Sequence, residues 1–301
     1  MLVALDLFAD KVLEAIREHG AELDAVVFTG VADYLPRLKG LLYRLAARPP
    51  KLPVDGRRFF LLRRLLQESE PRPPAVEIDP CRDLATLMFT GGITGVPKDA
   101  KLTYYNLAAN VLQVDARWNQ GSTPTIMSLP LLPWFHIYGQ TVVLHVGIYR
   151  AATILVYLRF EMERILADIG RYRANIFHGV STIYSKIPSL QEEKLRRYNL
   201  RSLEVCISGA GALLRAVAER FEKLTGAKLR EGYGLTEASP VTHINPIYGR
   251  VNVGSIGIPV PSTLAAVADP DRPVLLPPGE VGEIVVSGAS GDAGLPRRGG
   301  D

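Results

Sequence analysis

Short apolar runs alternate with amphipathic helical stretches along most of this chain, and that alternation constrains the fold more than any other feature. Runs at 125–129, 153–156, 175–177 and 203–207 have the length of buried strands, while 161–173, 181–190 and 214–224 carry helical periodicity. Strands spaced by helices come back in parallel, with the helices covering both faces of the sheet. The opening repeats the theme as a βαβ unit: strand 2–5, helix 8–19 and strand 25–29. Val12, Leu13, Ala15 and Ile16 supply the helix with a buried face, and Gly20 can cap it. Stretches 34–47 and 57–66 read as amphipathic helices on either side of a break at 49–53. Residues 69–80, with Pro71, Pro73, Pro74 and Pro80, read as an extended connector. After about residue 245 the character changes: 254–258, 265–268 and 283–287 are short strands divided by Pro and Gly. The expected architecture is α/β, with mainly parallel sheets and helices on both faces over 1–245, then part of a small β subdomain in 246–301.

Within this pattern, residues 84–106 carry the first chemistry. An apolar run, 84–89, leads into a loop where Gly91, Gly92 and Gly95 are interleaved with the hydroxyls of Thr90 and Thr94, and Lys98 closes it. Glycines let successive backbone N–H groups turn toward one point, and hydroxyls plus an ammonium suit a polyphosphate. The string is not a Walker A loop, which needs Gly-Lys followed by Ser or Thr; here Pro97 precedes Lys98 and Asp99 follows it. By composition alone, a glycine-rich turn without a ligand is an equal alternative. A helix starts near Thr103, with Asn106, Asn110 and Gln113 among its apolar residues.

Three further stretches stand out. Residues 131–139 read Leu-Leu-Pro-Trp-Phe-His-Ile-Tyr-Gly; a lone His136 among aromatics is, by itself, a packed core histidine. Residues 208–214, Ser-Gly-Ala-Gly-Ala-Leu-Leu, follow a strand, and small residues there admit either a flat ring or tight helix packing. Residues 231–240 read Glu-Gly-Tyr-Gly-Leu-Thr-Glu-Ala-Ser-Pro. Tyr233 between Gly232 and Gly234 presents a ring face on which a purine can stack, Thr236 offers a hydroxyl to a phosphate, and Glu237 offers a hard oxygen for magnesium. A glycine-rich turn is the plain alternative.

Composition bounds the rest. At 301 residues and 47% hydrophobic, the chain can bury a large core or two lobes. Lys and Arg total 35 against 31 for Asp and Glu, an excess too small to argue for nucleic acid. Cys81 and Cys206 give neither a disulfide framework nor zinc spacing, and the five histidines form no ligand pattern. The apolar stretch 141–158 carries His145 and Arg150 and reads as core, not a membrane span. Without a basic leader after Met1, the expected location is the cytoplasm.

The ordered strings say more than their composition. Thr90–Lys98 as Thr-Gly-Gly-Ile-Thr-Gly-Val-Pro-Lys and the later Tyr-Gly-Leu-Thr-Glu resemble the phosphate loop and the adenylate signature of AMP-forming acyl-CoA synthetases, in the adenylate-forming superfamily. Segments 254–259 and 278–288 extend the likeness, and 29–36 is similar to the long-chain fatty-acid members. Ile93 stands where Thr is usual and Asp99 where Gly is usual. The resemblance implies ATP-dependent activation of a fatty carboxylate to an acyl-adenylate, then to acyl-coenzyme A, with ATP, Mg²⁺ and coenzyme A bound. It implies phosphate contacts from Thr90, Gly91, Gly92, Thr94, Gly95 and Lys98. The adenine would lie against Gly209, Ala210, Gly211, Gly232, Tyr233 and Gly234, with Thr236 at the α-phosphate. Glu237 would hold the magnesium, and His136 would face the reacting carboxylate. Beyond 288 the family's ribose-binding and C-terminal motifs are not matched, so the expectation is a central piece of a ligase, with room for a separate polypeptide supplying the rest and for peripheral membrane contact. A catalytically impaired nucleotide-binding remnant and an interaction module are the rival readings.

Overall fold

The computed structural model describes residues 1–90, 98–118, 127–130, 132–157, 160–190, 192–252 and 254–292. The chain divides into two compact units, Met1–Glu77 and Ile78–Asp301. In the first, β1 (Leu2–Leu5), β2 (Val26–Thr29) and β3 (Phe59–Leu61) form a three-stranded parallel sheet with β2 in the centre. Helix α1 (Ala9–Glu18) buries Ala9 against Val26 and Phe28, with Val12 and Ile16 packed alongside. Helix α2 (Arg37–Ala47) follows. The helix expected at 57–66 is instead β3 running directly into α3 (Leu62–Glu68). Three Asp55-bound backbone N–H groups, those of Arg57, Arg58 and Phe59, turn the chain here. Phe59 then pairs beside Val26, so tertiary pairing overrides local helical periodicity.

The second unit holds the main sheet. Its strands are β6 (Met127–Pro130), β7 (Thr153–Ile154), β8 (Ile176–Val180), β9 (Val205–Gly209), β10 (Lys228–Gly234), β11 (Val241–Ile244) and β12 (Ile258–Pro259), in spatial order β12-β11-β10-β9-β8-β6-β7. The pairings from β10 through β9, β8 and β6 to β7 are parallel; β11 and β12 join antiparallel. The mainly parallel sheet is therefore present. Helices α6 (Met162–Tyr172), α7 (Ser181–Ser189), the short α8 (Glu192–Leu195) and α9 (Arg215–Thr225) pack on one face around Phe177, Cys206 and Leu229. Helix α4 (Tyr104–Trp118) and a π-type helix, Tyr138–His145, continued by α5 (Val146–Tyr149), cover the other face around Ile207, Val241 and Ile244. Cys206 and Ile207 are neighbours in β9 and point to opposite cores, the strand alternation that lets one sheet carry two helical layers.

Besides β3, the described strands Lys98–Thr103, β10 and β11 were not anticipated. Lys98–Thr103 is a strand, β5, pairing antiparallel with β4 (Leu84–Thr90), so the glycine-rich loop joins a hairpin and α4 starts only afterwards. The stretch 231–240 is not a turn throughout: its first half lies in β10. Beyond residue 245, Ile258–Pro259 still belongs to the main sheet, and β13 (Thr263–Ala268) with β14 (Glu283–Gly288) forms a separate antiparallel pair.

Candidate functional site

The site forms at the carboxyl ends of β9 and β10. There a cavity of about 180 Å³ is walled by His136, Tyr138, Gly209, Ala210, Gly232, Tyr233, Gly234, Thr236 and a set of apolar side chains. Ligands of open α/β sheets bind at the strands' carboxyl ends, because strand-to-helix loops leave backbone N–H groups and short side chains free there. Strand β9 ends at Gly209, Ala210 turns the chain with a φ of 59°, and α9 begins at Arg215. Strand β10 ends at Gly234, and a single 3₁₀ turn, Thr236–Ala238, carries Thr236 and Glu237.

Two glycines are demanded by close approach. A methyl carbon on Gly234 would lie 2.0 Å from the Pro240 carbonyl oxygen, where the bulge between β10 and β11 folds the chain back on itself. A methyl carbon on Gly209 would lie 2.8 Å from Tyr138 Cε1, so Gly209 is the space in which that ring rests.

The polar end of the cavity holds His136, Tyr233 and Thr236. The backbone N–H of Tyr138 donates to His136 Nδ1 at 3.2 Å, which leaves Nε2 as the proton-bearing nitrogen of the neutral ring. Tyr233 meets His243 edge-on, with centroids 6.1 Å apart, and burial holds His243 below the ordinary histidine range. The apolar end is formed by Ile137, Tyr138, Val142, Ile207, Val241 and Ile244. Tyr138 donates its hydroxyl to Ile207 O at 3.2 Å, and burial raises its phenol far above the usual range. His178 lies edge-on to the Tyr138 ring, and its burial pushes the imidazole down to about 3.

Helix α4 supports this wall from behind. Asn110 exchanges both its amide groups with the backbone of Val241, and Gln113 donates to Pro261 O. Asn106 accepts from Thr103 N–H and donates to Ala289 O and Gly291 O. The returning segment 288–292 ties in the acidic turn: Asp292 N–H donates to Glu237 O at 2.7 Å, Asp292 Oδ2 accepts from Lys101 N–H, and Ser239 donates to Ser290 O. The polar residues noted on this helix are thus structural pins.

Of the residues expected at the site, His136, Gly209, Ala210, Gly232, Tyr233, Gly234 and Thr236 line one cavity. Gly211 and Glu237 adjoin its wall in sequence without lining it. Thr90 and Lys98 pair across the hairpin that carries the loop. Gly91, Gly92, Thr94 and Gly95, together with the Lys98 side chain, lie outside the described residues. Sequence reasoning missed the apolar half of the wall. Tyr138 lies inside the 131–139 string without having been singled out, Val142 sits just past it, and Val241 follows Pro240, so only membership of, or adjacency to, the motifs could have flagged them.

The family model described as AMP-binding enzyme matches residues 3–293. A long-chain-fatty-acid–CoA ligase of Bacillus subtilis (strain 168) is 37% identical over 296 residues, 96% of this chain and 51% of that protein. The ligase of the same name from Escherichia coli O6:H1 is 36% identical over 214 residues, 68% of this chain and 36% of that protein. This chain therefore spans about half the length, or less, of the curated relatives it matches. Among solved structures, a long-chain-fatty-acid-CoA ligase (FadD1) from Archaeoglobus fulgidus superposes with a TM-score of 0.70 at 22% identity, covering 91% of this chain and 55% of that one. ATP-bound MatB from Rhodopseudomonas palustris gives 0.70 at 24% identity over 97% and 61%. These likenesses establish the fold.

Proposed function

The chain belongs to the AMP-binding enzyme family, and we propose that its site uses ATP to activate a fatty carboxylate for transfer to coenzyme A. A carboxylate oxygen attacks the α-phosphorus of ATP, pyrophosphate leaves, and the product is an acyl-adenylate. The coenzyme A thiolate then attacks the acyl carbon and AMP departs. A carboxylate is a poor acyl donor, and the mixed anhydride provides the leaving group it lacks.

The observation that carries this reading is one cavity with a polar end built from His136, Tyr233 and Thr236 and an apolar end fit for a hydrocarbon. Tyr233 stacks on the adenine, with Gly209, Ala210, Gly211, Gly232 and Gly234 admitting the base to the backbone. Thr236 donates to the α-phosphate. His136 donates from Nε2 to the carboxylate, the tautomer set by the Tyr138 N–H. Thr90, Gly91, Gly92, Thr94, Gly95 and Lys98 hold the outer phosphates, where positioning and charge neutralisation supply the catalysis. Glu237 offers a single carboxylate beside the Thr236 hydroxyl, a hard oxygen set suited to magnesium, which would neutralise phosphate charge when bound.

The test is exchange of labelled pyrophosphate into ATP with and without an added fatty acid, alongside calorimetric ATP binding. Acid-dependent exchange is expected, and Lys98→Ala should weaken ATP binding on the order of tenfold through loss of a charge-assisted contact of ~1.5–3 kcal/mol. Absence of ATP binding by the native chain refutes the proposal. ATP binding without exchange favours the second reading, a nucleotide-binding remnant, for which Ile93 and the exposed Asp99 are the specific support.

A further inference from the structure

Helix α2 sits on its unit the opposite way round from a core helix. Its leucines recur at helical spacing as Leu38, Leu41, Leu42 and Leu45, one stripe over two turns, and they are 70, 57, 57 and 65% exposed. The face turned inward carries Gly40, Tyr43 and Ala47 instead. Gly40 fixes that seating. A methyl carbon there would lie 2.8 Å from the Ala32 carbonyl oxygen, so the helix rests at backbone distance and no leucine has room to turn inward. Single exposed leucines are ordinary on protein surfaces, whereas a contiguous stripe marks an interaction face.

Charge identifies the occupant. Residues 33–68 hold nine Lys and Arg against three carboxylates, and all three are engaged: Asp33 with Arg44 at 2.6 Å, Asp55 with the N–H groups of residues 57–59, and Glu68 with Arg64 at 3.9 Å. Among the described residues, Arg37, Lys39, Arg48 and Arg63 pair with no carboxylate. Around the helix axis, Arg37 and Arg44 flank one side of the leucine stripe and Lys39 the other. Beside Leu41 lies a cavity of about 310 Å³ walled by Arg37, Arg44 and Arg63, with the Asp33 carboxylate already neutralised by Arg44. Guanidinium groups around such a space suit a phosphate. We propose that α2 docks this chain on an anionic phospholipid surface, with its leucines in the acyl boundary and a lipid phosphate in the arginine-lined cavity. The helix has eleven residues, about 16 Å of rise and half of what crossing a hydrocarbon core requires, so it lies along the surface.

The test is co-sedimentation of the 301-residue chain with vesicles of phosphatidylcholine, alone or with about one third phosphatidylglycerol. At about 0.1 M salt, binding to the anionic vesicles should be about tenfold tighter or more, and about 1 M salt should abolish that preference. Leu41→Ser combined with Leu45→Ser should weaken binding about tenfold or more. Arg37→Gln combined with Arg63→Gln removes two near-surface cations. It should lower the affinity for anionic vesicles on the order of twentyfold and leave the phosphatidylcholine value unmoved. Leu264→Ser, at a position 77% exposed in β13, should change nothing. All these positions are exposed, and unchanged circular dichroism spectra and melting curves check that the fold survives. Absence of binding, equal binding to both kinds of vesicle, or binding that the α2 variants leave unmoved overturns the proposal. So does an equal loss in Leu264→Ser, which would mark exposed apolar surface in general. Concentration-dependent self-association that the leucine pair abolishes, without vesicle binding, would make the face a contact between copies of this chain and overturn it as well.

Discussion

At the scale of single residues, burial decides more of the chemistry than charge does. His178 is 1% exposed inside the sheet, and its imidazole is pushed down to about 3 from an ordinary value of 6.5. Between those values the unfolded chain binds a proton that the folded chain refuses. The stability tied to this group is therefore complete above about pH 6.5 and is lost progressively as the pH falls toward 3, at up to ~1.4 kcal/mol per pH unit. His145 and His243, held low by the same cause, add in the same direction. Urea midpoints should drop between about pH 7 and about pH 5, and His178→Gln should shrink that drop. An equal drop in the variant would locate the sensitivity elsewhere. Gly234 makes the opposite case, where space and not ionisation matters. With the Pro240 carbonyl oxygen 2.0 Å from any added methyl, Gly234→Ala should cost about 3 kcal/mol or more, read as a lowered denaturation midpoint.

At the scale of elements, the site depends on how α4 is pinned. Its polar residues satisfy backbone groups of β11 and of the returning segment 288–292, and no ligand need be invoked for them. Asn106 alone accepts two hydrogen bonds from Thr103 and donates two to the carbonyls of Ala289 and Gly291. Asn106→Ala should cost about 3 kcal/mol, several modest bonds and the desolvated groups they leave behind. It should also expose the bonds around 289–292 to protease before the main sheet is cut, which cleavage mapping by mass spectrometry would show. Cleavage unchanged from the native chain would mean that Ser239 and Lys101, which hold Ser290 and Asp292, suffice by themselves.

At the scale of the whole molecule, the two compact units meet in sequence after Glu77, inside the proline-rich stretch that composition marked as a connector. Residues 66–84 are exposed throughout. Brief proteolysis should therefore cut between 69 and 83 first and release two resistant fragments, and first cuts within the main sheet would contradict this division. Much of this architecture was legible in the chain: the strand–helix alternation, the opening βαβ unit, the glycine-rich loop and the Tyr-Gly-Leu-Thr-Glu string are local patterns, and local patterns survive in a linear text. What the text hid are features created by contact between distant segments. Residues 57–61 look helical and become β3 because β2 offers an open edge. Lys98–Thr103 becomes a strand because β4 lies opposite it. The apolar half of the cavity draws Tyr138 and Val142 from one helix, Ile207 from β9, and Val241 and Ile244 from β11. Each of these is an ordinary apolar residue in its own stretch, and only packing makes them a wall. Sequence by itself determined the fold class and the polar half of the site, since backbone-binding glycines and hydroxyls must sit at set spacings on one segment. The tertiary structure alone decided the depth of the pocket, because a volume exists only between surfaces that the chain brings together.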